Sequence, residues 1–210
     1  MKNVLVVFSG KAQSGKTTAS NVLREIAKAQ LPPNYDFNIH GPVKIFSFAT
    51  ALKKIAEEYF GWDGDKGIYY GDADKNDFTY ETGDRIVIPD KGRQLLINIG
   101  QHMRAIRATV WVDYVINKIK AEGSTGTNKV FIIDDMRFSN ELIMAKTFDA
   151  CVSVRLKRNS ELHLDDTSET DLDNAEFDYY IENNGHIDDL KIEMSGLFEK
   201  IKLKYQQGAA

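Results

Sequence analysis

The chain has 210 residues, 42% of them hydrophobic and 28% charged, with a formal net charge of -4. That length suits one compact α/β domain carrying an insertion, the composition excludes wholesale disorder, and the acidic balance leaves no broad basic field for a nucleic-acid polymer. Cys151 is the single cysteine, which excludes an internal disulfide or a zinc site built on cysteine pairs, and no run reaches the ~18 apolar residues of a membrane span.

Val4 to Ser9 is a continuous apolar run ahead of a glycine-containing loop, which predicts a strand buried on both faces of a parallel sheet. Thr17 to Gln30, with Val22, Leu23, Ile26 and Ala27 on one stripe, predicts a helix that Leu31-Pro32-Pro33-Asn34 ends. Val43 to Phe48 predicts a second strand and Thr50 to Phe60 a second helix. Gly61 to Gly92 is rich in Gly, Asp, Lys and Tyr, lacks periodicity, and reads as an insertion or flap. Helical patterning returns from Gly92 to Lys120 and predicts two helices, one with Leu95, Leu96, Ile99 and Met103, the other with Val112, Val115, Ile116 and Ile119. A Gly/Ser/Thr loop follows from Glu122 to Asn128.

Val130 to Asp134 predicts a third strand, Asn140 to Thr147 a short helix, and Ala150 to Leu156 a fourth strand that buries Cys151. Lys157 to Ala175 is polar and acidic and reads as a lid or loop. Phe177 to Glu182 predicts a fifth strand and Ile187 to Tyr205 a closing helix. This alternation predicts a doubly wound α/β fold: a five-stranded parallel sheet with helices on both faces.

The sharpest motif is Gly10-Lys11-Ala12-Gln13-Ser14-Gly15-Lys16-Thr17, which fits G-x-x-x-x-G-K-[ST] between a predicted strand and a predicted helix. Its glycines let backbone N–H groups turn inward on phosphate oxygens, and the helix N-terminus adds a positive dipole end. Lys16 is expected to reach the β- and γ-phosphates of a nucleotide, and the Thr17 hydroxyl to ligate Mg²⁺. Asp134 and Asp135 close the third strand, either as metal-side acids of such a loop or as an ordinary strand end. The run Asp135-Met136-Arg137-Phe138-Ser139-Asn140-Glu141 puts an acid, an arginine and a second acid at the carboxyl end of the sheet, where open α/β sheets bind ligands. Arg137 has the planar fork for a phosphate; Glu141 would orient it or accept a bond from substrate, unless the two form a plain surface pair.

Arg93 falls near a helix start, where guanidinium and free N–H groups can share a phosphate, and Gln94 offers donor and acceptor to a base edge. Arg104 and Arg107 lie one turn apart, and Trp111 either stacks on a base or packs in a core. Arg155, Lys157 and Arg158 suit a lid that brings charge over a transferring phosphoryl group, or a solvated strand end. The acids from Asp165 to Glu169 could ligate a metal, but such a run reads first as a solvated loop or a lid hinge. His40, His102, His163 and His186 show no metal spacing.

Taken in order, these segments resemble the deoxynucleoside monophosphate kinases of tailed bacteriophages, members of the P-loop nucleotide kinase superfamily. The likeness runs from Phe8-Ser9-Gly10 to Thr18, through Phe46-Ser47-Phe48-Ala49 with Leu52-Lys53, to Gly92-Arg93-Gln94-Leu95-Leu96 with Gly100 and to Trp111. It continues in Asp135 to Glu141, Thr167-Ser168-Glu169 and Ile181-Glu182-Asn183-Asn184-Gly185. The resemblance implies that Gly10, Lys11, Ala12, Gln13, Ser14, Gly15, Lys16, Thr17 and Thr18 hold ATP, with Thr17 and Asp135 toward Mg²⁺ and Asn183 and Gly185 near the adenine. It implies a monophosphate site lined by Arg93, Gln94, Gly100, Gln101 (often threonine in such enzymes) and Trp111 from an insertion at 61–121, together with Asp135, Arg137 and Glu141. Arg155 or Arg158 would act from a lid at 157–175. The expected reaction is γ-phosphoryl transfer from ATP to a dNMP, in a cytoplasmic enzyme (a host's cytoplasm if phage-encoded) that needs no polymeric nucleic acid or membrane; a homodimer is left open. A kinase of another small acceptor, such as a nucleoside or dephospho-coenzyme A, and an NTP-driven switch are the alternatives.

Overall fold

A computed structural model describes residues 3–30, 43–60, 62, 77–81, 87–124, 129–159 and 167–206. The stop at Leu31 to Asn34, most of the stretch from Gly61 to Gly92, the tip of the Glu122–Asn128 loop, and Asp165 and Asp166 lie outside the described residues. The elements in chain order are β1 (Val4–Ser9), α1 (Lys16–Gln30), β2 (Val43–Phe46), α2 (Ala49–Phe60), β3 (Asp77–Glu81), β4 (Val87–Lys91), α3 (Gly92–Ile106), α4 (Val110–Gly123), β5 (Val130–Met136), α5 (Ser139–Ala145), β6 (Cys151–Lys157), α6 (Thr167–Thr170), β7 (Tyr179–Glu182) and α7 (Ile187–Gln206).

Five strands form an all-parallel sheet in the order β2-β5-β1-β6-β7. The central β1 is buried along its whole length, as its uninterrupted apolar run requires of a strand covered on both faces. On one face Val4, Val6, Phe8, Val130, Ile132, Val152 and Val154 pack with Ala19, Leu23 and Ala27 of α1 and with Leu190, Met194, Phe198 and Ile201 of α7. On the other face Leu5, Val7, Phe131 and Ile133 are equally buried. Neighbouring strands β1 and β5 send their following connections in opposite directions, β1 to β2 at one edge and β5 to β6 across the sheet. The crevice between their carboxyl ends is therefore the topological switch point.

The chain divides into two compact units, Met1–Ser47 with Val115–Ala210, and Phe48–Tyr114. The first holds the parallel sheet. The second holds α2, the antiparallel pair β3–β4 with Asp77 opposite Lys91 and Glu81 opposite Val87, helix α3 and the first turn of α4. Within it α3 packs on α2 at Gly100, where a Cβ would stand 3.1 Å from Leu52 Cδ1. The hairpin falls in the stretch that sequence reads as irregular: each strand is five residues long, and β4 carries Pro89, which removes a ladder donor. Among the described residues no helix is long and apolar enough to cross a membrane.

Candidate phosphate-binding site

The loop between β1 and α1 turns by unusual backbone conformations. Gly10 and Gly15 have φ of 154° and 93°, and Gln13, with a side chain, sits in the left-handed region at 61°. The Ser14 N–H closes the turn on the Lys11 carbonyl at 3.2 Å. Gly15 is needed twice over: its φ disfavours any Cβ, and a Cβ there would collide with the Asn183 amide. That amide donates to the Ser14 carbonyl at 2.9 Å, while the Asn183 N–H holds the Lys157 carbonyl at 2.7 Å. The segment after β7 thus braces the loop from outside. Gly185 lies further on, exposed, at the entry of α7, where a Cβ would meet the Asp189 side chain.

Lys16 is the first residue of α1 and only 8% exposed. Its Nζ donates to the carbonyls of Gly10 at 2.6 Å and Lys11 at 2.8 Å, so its ammonium is held in the loop's mouth. Burial pushes the amine down to about 7, and the nearby Arg137 charge adds to that; Glu169 and Asp135 act the other way, and Arg155 lowers it further. These five groups therefore share one electrostatic neighbourhood at the carboxyl edge of the sheet. Thr17 and Thr18 are exposed in the first turn of α1.

Register explains how Asp135 arrives there. Val7 pairs with Ile133 but Ser9 with Met136, so Phe8 faces two residues, Asp134 and Asp135, in an irregularity that re-aims the strand end. Asp135 Oδ2 accepts the Ser47 hydroxyl at 2.5 Å, from just beyond β2. Arg137 follows β5. Glu141, at the third position of α5, turns back and accepts the backbone N–H groups of Arg137 at 2.7 Å and Phe138 at 3.0 Å. Of the roles open to Glu141, orienting Arg137 is the one this position fits: its side chain is buried, 2% exposed, and braces the backbone that carries Arg137.

The guanidinium of Arg137 pairs with Glu169, from 32 residues further along. Glu169 also accepts the Ala12 N–H of the loop at 2.7 Å. Four residues on, Asp173 meets Lys11 at 3.3 Å and Arg155 at 2.7 Å. The placement of Arg155 on a lid is corrected. It lies inside β6, 8% exposed, with one nitrogen on the Ser9 hydroxyl at 2.8 Å and its guanidinium 5.7 Å from the centre of the Phe177 ring. Burial pulls Arg155 below the usual arginine range, and Asp173 pulls it back. Arg158, beyond the end of β6, is exposed. Glu169 and Asp173 were missed as site residues. Their stretch is polar and aperiodic, and the only signal was the place of Thr167-Ser168-Glu169 in the resemblance.

The remaining expected residues belong to the second unit. Arg93 and Gln94 lie in the first turn of α3; their side chains are outside the described residues. Gln101 is exposed, and Arg107 pairs with Asp113 at 2.6 Å. Trp111 is 3% exposed and its indole N–H points at the Gly100 carbonyl at 3.4 Å. Of the two roles open to this tryptophan, packing is the one that position fits.

No known protein family matches the chain, and no curated protein matches it in sequence. Among solved structures it is similar to the dephospho-CoA kinase of Campylobacter jejuni, with 11% identity, a TM-score of 0.49 and coverage of 95% of this chain and 97% of that one. It is similar to an APS kinase of Mycobacterium tuberculosis at 10% identity, TM-score 0.42, covering 94% and 98%. A sugar kinase from Janibacter is similar at 13% identity, TM-score 0.44, covering 95% of each chain.

Proposed function

We propose that this chain is an ATP-dependent phosphotransferase whose acceptor is a deoxynucleoside monophosphate. The observation that carries the reading is the Lys16 ammonium, fixed by two loop carbonyls at the switch point of a parallel sheet, with Arg137 and Arg155 in the same electrostatic neighbourhood. A curled backbone, a helix N-terminus and a cluster of cations suit the triphosphate tail of a nucleotide. The acceptor assignment rests on the Gly92 to Leu96 and Asp135 to Glu141 segments of the resemblance.

Mg²⁺ fits the oxygen donors at hand, the Thr17 hydroxyl and the Asp135 carboxylate, the latter already oriented by Ser47. When bound with ATP, the ion would neutralise charge on the β- and γ-phosphates. The chain's own residues do the rest. Lys16 meets the charge that builds on the transferring phosphoryl group. Arg137 holds the acceptor's phosphate toward it, and Arg155, anchored in β6, adds fixed positive charge. A phosphate acceptor is already ionised at neutral pH, so no general base is needed, and catalysis is positioning plus charge neutralisation. Arg158 is assigned to cover the phosphoryl group from the lid side. Arg93, Gln94, Gly100, Gln101 and Trp111 are assigned to the acceptor on the resemblance alone, and Asn183 and Gly185 to the adenine side.

The test is an ADP-release assay of the full chain with ATP and Mg²⁺ over all dNMPs, NMPs, nucleosides and dephospho-coenzyme A. Formation of dNDP is expected. ADP formed with nucleosides or dephospho-coenzyme A but with no dNMP overturns the acceptor. DNA-stimulated hydrolysis without dNDP overturns the transferase.

A further inference from the structure

Glu169 has been given no part in the transfer, yet both of its oxygens are engaged at the site. One accepts the Ala12 N–H of the phosphate loop at 2.7 Å, and the other meets the Arg137 guanidinium. The side chain is only 5% exposed, and a carboxylate leaves water at a cost that only such partners offset. The segment around it is anchored on both sides. Leu172 is 2% exposed, and Asp171 accepts the Ser139 N–H at 2.6 Å. Asp173 spans Lys11 and Arg155. A carboxylate fixed this way is part of the frame rather than a stand-in that an arriving phosphate displaces.

We propose that Glu169 is a positioning residue that ties the Arg137 guanidinium to the tip of the phosphate loop, and so fixes the direction from which Arg137 meets a phosphoryl group held there. The proposal rests on the phosphotransferase reading. Its chemistry is that of a planar fork: with one N–H committed to a carboxylate, the remaining donors of Arg137 point in a defined plane. Without Glu169 the guanidinium loses its link to the loop, and that part of its ordering must be recovered at each turnover. The Glu169 charge also offsets the mutual repulsion of Lys16 and Arg137, which lets the two cations stand together.

The test is a double-mutant cycle in the full chain: Glu169→Ala, Arg137→Ala and the pair, with Glu169→Gln beside them. Two readouts are taken, steady-state kinetics with ATP and a dNMP, and nitrogen–proton spectra of the Ala12 amide and the Arg137 Nε–H, which need no substrate. Glu169→Ala should lower kcat about 100-fold with the KM for ATP changed less than about threefold. In the Arg137→Ala background the same change should cost about threefold or less, because the effect passes through that arginine. Glu169→Gln, which still accepts the Ala12 N–H, should recover about tenfold over the alanine variant. The Arg137 Nε–H signal should be ordered in the parent chain and mobile in Glu169→Ala. Losses that multiply across the cycle overturn the proposal, as does an Arg137 signal that Glu169→Ala leaves unchanged. If the parent chain forms no dNDP, the function proposed above fails by itself, and the spectra still decide whether Glu169 orders Arg137.

Discussion

The phosphate loop and the acidic segment from Thr167 to Asp173 touch each other, yet they are built by different means. The loop is made by its own backbone: two glycines and Gln13 at positive φ, a turn closed within four residues, and a lysine folded back onto its own carbonyls. The segment is held by side chains reaching across the fold, Glu169 to Ala12 and Arg137, Asp173 to Lys11 and Arg155. A site made of backbone is rigid before any ligand arrives, because its donors cannot rotate away. A site made of ion pairs depends on side chains whose rotamers must be held. Under the function proposed above, the difference assigns binding of the phosphate tail to the loop and alignment of the cations to the segment.

The largest expected effect comes from removing the loop's buried charge. Lys16→Met should lower phosphoryl transfer by about a thousandfold or more, since Lys16 is the buried cation in the loop's mouth, whereas Lys11 is half-exposed and paired with Asp173. Turnover within tenfold of the parent chain would break the comparison at its root, because the backbone would then be doing without its lysine. Gly15→Ala probes the backbone itself. Strain at φ 93° and the collision with Asn183 should together cost about 2–4 kcal/mol in urea unfolding. Adding Asn183→Ala should return part of that loss by clearing the clash, while the strain remains.

Lys16 also gives the loop a pH signature. Its folded pKa, about 7, lies below the ordinary 10.5. Between those values the unfolded chain holds a proton that the folded chain has lost, so folding stability rises with pH across that window, by on the order of a few kcal/mol. Below about pH 7 both states are protonated and the penalty of the buried charge is present in full. Urea unfolding of the ligand-free chain at pH 6.5 and 9.5 should show the rise, and Lys16→Met should flatten it. An equal slope in the variant would place the titration elsewhere.

The same division explains what the sequence revealed. The loop, the strand ends and the Arg137 carrier are local: the motif spans eight residues, and Glu141 caps the helix it starts. Such features follow from neighbours in the chain and can be read there. The five-stranded parallel sheet followed from strand–helix alternation for the same reason. Glu169 lies 157 residues from Ala12, and nothing in a polar, aperiodic stretch announces which amide it will find. Arg155 shows a milder form of the problem. Its strand was legible, but alternation alone does not say that its side chain would run inward to Ser9 and Asp173.

The smallest effect is expected where the segment meets solvent. The side chains of Asp173 and Lys11 are 36% and 49% exposed, so their 3.3 Å pair is screened and worth well under about 1 kcal/mol, while the buried Arg155 is the better partner. Asp173→Asn keeps an oxygen for Arg155 and removes only the charge. Unfolding stability should therefore fall by about 1 kcal/mol or less, with the loss fading as salt is raised. If the segment aligns cations and does not bind the tail, ATP affinity in this variant should stay level or rise slightly, because Lys11 is relieved of an acidic neighbour. A marked drop in ATP affinity, measured by calorimetry, would show that Asp173 holds the loop's shape, and the line drawn between the two regions would have to move.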